Sequence, residues 1–115
     1  MTINDVFEYT EKMYPCQYES DVKLMWVNQL EKEIADFLKL FGEVETYPHT
    51  DVTDEILIEE PDIYALYIGA RADFANGEYA RYNNKVAQFN AFMEEWQARY
   101  MRDHKPEGKV RYIKI

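Results

Sequence analysis

Side chains able to do chemistry are few in this chain and thinly spread. The single cysteine, Cys16, has no histidine near it in sequence, and an unactivated thiol behaves as a small hydrophobe. His49 stands among turn-forming residues, and His104 falls towards the end of a helical pattern. His49 with Asp51 and Asp54 sketches a cation site, but the spacing matches neither a zinc motif nor a calcium loop. His104 has a simpler use, since positive charge complements the C-terminal end of a helix. The neighbouring carboxylates Glu59-Glu60 and Glu94-Glu95 are expected to solvate a surface, because a working acid–base pair needs burial to separate its two pKa values. With only four glycines, the chain carries no phosphate-cradling loop. Gly-x-Ser-x-Gly and His-Glu-x-x-His are also missing. These residues lead to the expectation of a protein without catalytic, cofactor or metal site.

The polar residues with informative spacing are asparagines, in and after the stretch ADFANGEYARYNN at 72–84. Asn-Gly between alternating hydrophobics marks a strand hairpin. Here the pattern on both sides is helical, so Asn76-Gly77 is expected to joint two helices, with Gly77 supplying positive φ. Tyr79, Tyr82, Val86, Phe89, Met93, Trp96 and Tyr100 follow at alternating steps of three and four, a period no strand has. Asn83 and Asn90 flank this seam seven residues apart. With Tyr82 they are predicted to hydrogen-bond across a helix interface and hold its register. Ten tyrosines, each an apolar body with a polar tip, suit chain–chain contacts.

Other elements must position these. Thr2 is placed to cap a helix from Ile3 to about Met13, which Pro15 stops. Trp26, Val27, Leu30, Ile34, Phe37, Leu38 and Phe41 predict a second, amphipathic helix of about twenty residues with Gly42 as its left-handed cap. Lys23, Glu31, Lys32 and Asp36 are assigned to its solvent side. Pro61 opens a third helix whose IYALYIGA core is apolar nearly all round and should lie centrally, with Gly69 admitting a neighbouring backbone. Residues 43–60 read as a long acidic loop with an extended edge at Ile56 and Ile58. The closing KVRYIKI, 109–115, alternates like a strand, pairing with the 55–59 segment or with another chain. The expectation is an all-α domain of about four helices over 1–108, followed by an extended C-terminal strand over 109–115.

Composition narrows the function classes. At 115 residues and 47% hydrophobic, the chain can bury one real core. One cysteine permits no internal disulfide, which suits a reducing cytoplasm. The first residues do not resemble a signal peptide, and no apolar run is long enough to span a bilayer. Twenty-two acidic residues against 13 basic ones give a net charge of −9, the wrong sign for gripping phosphates. Two sharper readings of that charge are a surface that must not stick to DNA and a surface that imitates it.

Three segments resemble a known family: YESDVKLMWVNQLEKEI, the 56–92 stretch from ILIEEPDIYALYIGA to NKVAQFNAF, and RYMRDHKPEG. The specific parts are the Glu60-Pro61 start of helix three, NGEY-x-RYNN, and R-x-H-x-P. Together they are similar to the head–tail connector (adaptor, head-completion) proteins of tailed phages and prophages. The resemblance implies a dodecameric ring of identical subunits under the portal protein, offering a platform to the next neck or tail-completion protein. It implies a place in the virion neck after synthesis in the host cytoplasm, with DNA passing nearby without specific binding, and no membrane. Carried onto this chain, Lys109, Val110, Arg111, Tyr112, Ile113, Lys114 and Ile115 become a segment docking on the portal or a neighbouring subunit. Glu43, Glu45, Asp51, Asp54, Glu55, Glu59 and Glu60 become a channel- or tail-facing acidic loop. The rival expectation is a small acidic DNA mimic that inhibits a host nucleic-acid-binding protein.

Overall fold

A helix with apolar side chains on every side has to be surrounded, and residues 63–70 are buried without exception. The computed structural model describes residues 1–43 and 48–115. The described residues form four α-helices and no strand: α1 (Ile3–Met13), α2 (Ser20–Lys39), α3 (Pro61–Ala75) and α4 (Tyr79–Asp103). The three other helices all pack on α3. The molecule measures 40 × 31 × 18 Å, so it is a slab about two helices thick at roughly 10 Å per helix.

Each helix ends where local chemistry ends it. At α1, the Thr2 hydroxyl accepts from Asp5 N–H at 3.1 Å and the Asp5 carboxylate accepts from Thr2 N–H at 2.9 Å, a reciprocal capping box. Gly42 (φ 82°) closes α2, with Gly42 N–H on the Lys39 carbonyl at 3.1 Å and Glu43 N–H on that of Leu38 at 3.2 Å. Gly77 (φ 74°) closes α3 with the same pair of bonds, to Phe74 at 3.1 Å and, from Glu78, to Asp73 at 2.8 Å. The Asn-Gly pair is a helix joint, as the flanking periodicity predicts.

Beyond that joint, α4 is one helix of 25 residues, but its seam is not buried throughout. Phe89, Met93 and Trp96 enter the core, whereas Tyr79 is 58% exposed. Tyr79 and Tyr82 instead lean their rings on Phe74, at 5.7 and 5.2 Å between centroids. Among the described residues, Tyr82, Asn83 and Asn90 make no hydrogen bond to another helix within the chain. Lys85 takes that part, donating to the Asp73 carboxylate at 2.5 Å with Nζ 4.9 Å from the Tyr14 ring centre. Gly69 makes room for it, since a Cβ there would sit 2.9 Å from Lys85 Cε. The close approach that Gly69 allows is thus by a side chain, not by a backbone.

The C-terminal strand is a second correction. Residues 109–115 form no strand, and Glu55 of the 55–59 segment bridges to Thr2 instead. The expected long acidic loop over 43–60 is also corrected. Its described part, 48–60, straps the start of α1: the carbonyls of Asp54 and Val52 accept from Ile3 N–H at 2.9 Å and Asn4 N–H at 2.8 Å. Those are two of the donors a helix start leaves free.

Gly77→Ala is expected to destabilise the fold by about 1 kcal/mol, because a Cβ at positive φ is strained. Gly108→Ala, whose Cβ would meet Leu40 at an ordinary 3.5 Å, should change stability by less than about 0.5 kcal/mol. Urea unfolding of the two variants checks the contrast.

Candidate functional site

The C-terminal segment is held by amides seven residues apart on α4. Gln97 follows Trp96 at the edge of the apolar seam and is 0% exposed. Its amide N–H donates to the Arg111 carbonyl at 3.2 Å, and its Oε1 accepts from Ile113 N–H at 2.8 Å. Two turns earlier, Asn90 Oδ1 accepts from Ile115 N–H at 3.1 Å. The gripped residues, 111, 113 and 115, recur with the period of an extended chain, so the two side chains do what a partner strand would do. One apolar anchor accompanies them: Ile113 is 7% exposed and joins the core, with Val110 packed partly against it. Tyr112 and Ile115 are exposed.

Lys109, Arg111 and Lys114 project from this segment along a groove of about 750 Å³. Its other walls are α2, through Gln29, Glu33 and Phe37, and α3, through Tyr67 and Arg71. Burial pushes the Tyr67 phenol above its usual pKa, while the Arg71 charge acts the other way.

The acidic residues of the 43–60 stretch are mostly engaged one by one. Asp51 accepts from the Thr53 backbone N–H and hydroxyl, both at 2.9 Å, which holds its carboxyl below 3.8. Glu55 and Glu59 accept from the N-terminal ammonium at 2.7 and 2.8 Å and raise its pKa to about 10. Glu60 accepts from Arg99 at 2.9 Å, and Glu43 is exposed just past α2. Glu45 lies outside the described residues.

A sealed polar network fastens the strap to α2 and α3. Glu31, expected on the solvent side of α2, is 0% exposed. One of its carboxylate oxygens meets His49 Nε2; the other accepts from Leu57 N–H at 2.7 Å and Tyr64 O–H at 2.5 Å. The other His49 ring nitrogen faces Asp54 at 3.4 Å, while the backbone of His49 is paired on both sides with the Asn28 amide, at 2.8 and 2.9 Å. Asp51 turns away from this cluster, and among the described residues no three histidine, cysteine or carboxylate side chains converge on a cation position. Burial, then the Glu31 charge, pushes the Tyr64 phenol well above 10, so it stays protonated and donates. The arrangement binds chain to chain, with Glu31 and His49 buried at its centre and Asp54 partly exposed at its edge.

The remaining predicted residues scatter. The Asn76 side chain accepts from Tyr18 O–H at 2.7 Å, fixing the α1–α2 connection, and Asn83 is exposed. His104 lays its ring on Tyr100, 4.0 Å between centroids, with Nδ1 at 2.9 Å from the Tyr100 carbonyl, in keeping with a helix-end role. Sequence reading missed Gln97 and Glu31, and both had a signal. Gln97 extends the Asn83–Asn90 spacing by one more heptad. Glu31 falls four residues after Val27 and three before Ile34, on the apolar stripe itself. Comparison with protein-family models found no match, and neither did comparison with curated proteins or with solved structures.

Removing either member of the Glu31–His49 pair leaves the other buried with one polar atom stripped of its partner, so Glu31→Leu and His49→Phe should each cost about 3 kcal/mol or more. Their double variant should cost clearly less than the sum, which a double-mutant unfolding cycle measures. Alkaline pH gives a second check. The Tyr64 phenol has a higher pKa folded than its unfolded value of 10.0, so its contribution is whole below pH 10 and declines as pH climbs above it. The fold should therefore weaken above pH 10, and Tyr64→Phe should flatten that decline.

Proposed function

We propose that this chain is a non-enzymatic structural subunit of a tailed-phage head–tail connector, which assembles with copies of itself at the portal and presents a surface to the next neck or tail-completion protein. The reading rests on the family resemblance carried by residues 18–34, 56–92 and 99–108. The observation that supports it best is the attachment of 109–115: three side-chain-to-backbone hydrogen bonds and one buried isoleucine hold an extended chain end to a helical body. A segment held this way keeps a sequence-independent backbone contact that another protein can supply equally well. It is the part we assign to docking on the portal or on an adjacent subunit. The acidic stretch then faces the channel or the tail side, where carboxylates keep passing DNA from adhering. The DNA-mimic alternative gains no comparable support, since a mimic has no use for the attachment of 109–115.

Negative-stain microscopy of the chain mixed with portal rings from its own phage or prophage tests the proposal. The full chain should add a layer of density to one end of the portal. The chain ending at Gly108 should keep its helical circular dichroism and add none. Bare portals in the presence of the full chain contradict the connector reading; a truncated chain that still decorates them contradicts the role given to 109–115.

A further inference from the structure

The groove between α2, α3 and the C-terminal segment is a cationic concavity on an acidic molecule. Lys32, Arg71, Lys109, Arg111 and Lys114 line it, five of the chain's 13 basic residues, against only Glu33 and Asp36 of its 22 acidic ones. Arg71 is half-buried there, and among the described residues it has no ion pair. The two carboxylates in the wall would repel a nucleic-acid backbone, whereas a lining of mixed sign with Leu30, Phe37 and Tyr67 beneath suits a polypeptide.

We propose that this groove receives the acidic strap of a second copy of the chain, at Asp51, Asp54, Glu55 and Glu59. Charge complementarity selects the occupant. Within ten residues the strap gathers the chain's densest run of carboxylates, and Glu55 and Glu59 leave 68% and 65% of their side chains exposed although each touches the N-terminal ammonium. Geometry makes the contact intermolecular. The strap meets α2 at Asn28 and Glu31, while the groove opens along Gln29, Glu33 and Asp36. At 3.6 residues per turn these faces are more than a right angle apart, so a chain cannot place its own strap in its own groove. A strap-to-groove contact joins unlike surfaces, and repetition of such a contact generates a ring or an open filament. The inference deepens the ring reading above with the tail in its attached position, does not depend on any portal contact, and assigns Asp51, Asp54, Glu55 and Glu59 to the contact between copies rather than to the channel.

The test is a charge swap followed by sedimentation velocity with the full chain. Wild type should self-associate at low salt and dissociate near 1 M salt, where screening shortens to about 3 Å. Arg111→Glu with Lys114→Glu, and separately Glu55→Lys with Glu59→Lys, should each weaken association by about tenfold or more. All four positions are exposed, so the variants should retain helical circular dichroism. Mixing the two variants should restore assembly, because each then offers the other a strap and a groove of opposite sign. Wild type that stays monomeric up to millimolar concentration overturns the proposal, as does a mixture that fails to reassemble. Groove-dependent binding of duplex DNA or of an unrelated acidic peptide, without self-association, assigns the groove elsewhere and overturns it too. Portal decoration that survives both charge reversals would leave the connector reading intact while rejecting this interface.

Discussion

The burial of α3 on all sides is the constraint from which the architecture follows. Ile63 to Ala70 offer no face to water, so α1, α2 and α4 must close around them. That demand decides where the smaller devices go. Gly42 and Gly77 turn the chain sharply enough to bring helices back onto α3, and the strap at 48–60 covers the end of α1 that the bundle leaves open. A slab only 18 Å thick has little depth in which to hide polar atoms, and the few that are hidden are fully matched among the described residues.

Two of those hidden polar groups divide the labour. Glu31 is a carboxylate surrounded by three partners from two separate parts of the chain: the strap at His49 and Leu57, and α3 at Tyr64. Breaking such a centre strands a charge, so the strap is committed to the fold. Gln97 is neutral and grips backbone alone. Its loss of partner costs about 1–3 kcal/mol for a neutral buried group, a modest barrier beside that of a stranded charge. The contrast separates a permanent fastening from one suited to exchange.

Helices were readable because their signals are local. Thr2 with Asp5, Pro61, Gly42 and Gly77 mark boundaries through bonds made within a few residues, and the three- and four-residue steps of α2 and α4 need no tertiary information. The site residues were less legible because their partners are distant. Lys85 reaches Asp73 and Tyr14 across a helix pair, so the asparagines nearby were assigned a task the lysine performs. KVRYIKI has the alternation of a strand, yet strand formation depends on a partner backbone, and side-chain amides of α4 reached it first. Charge on Glu31 argued for solvent, and only the arrival of His49, Leu57 and Tyr64 reverses that argument.

The central claim is that residues 109–115 form a separately releasable segment on an otherwise unitary helical body. Native-state hydrogen exchange of the backbone amides of Ile113 and Ile115, followed against those of Leu66 and Ile68 in α3, tests it most directly. The two tail amides should exchange through local opening, well before the α3 amides and with little dependence on denaturant. If they exchange together with α3, only on global unfolding, the tail is part of the core and no transferable docking segment exists.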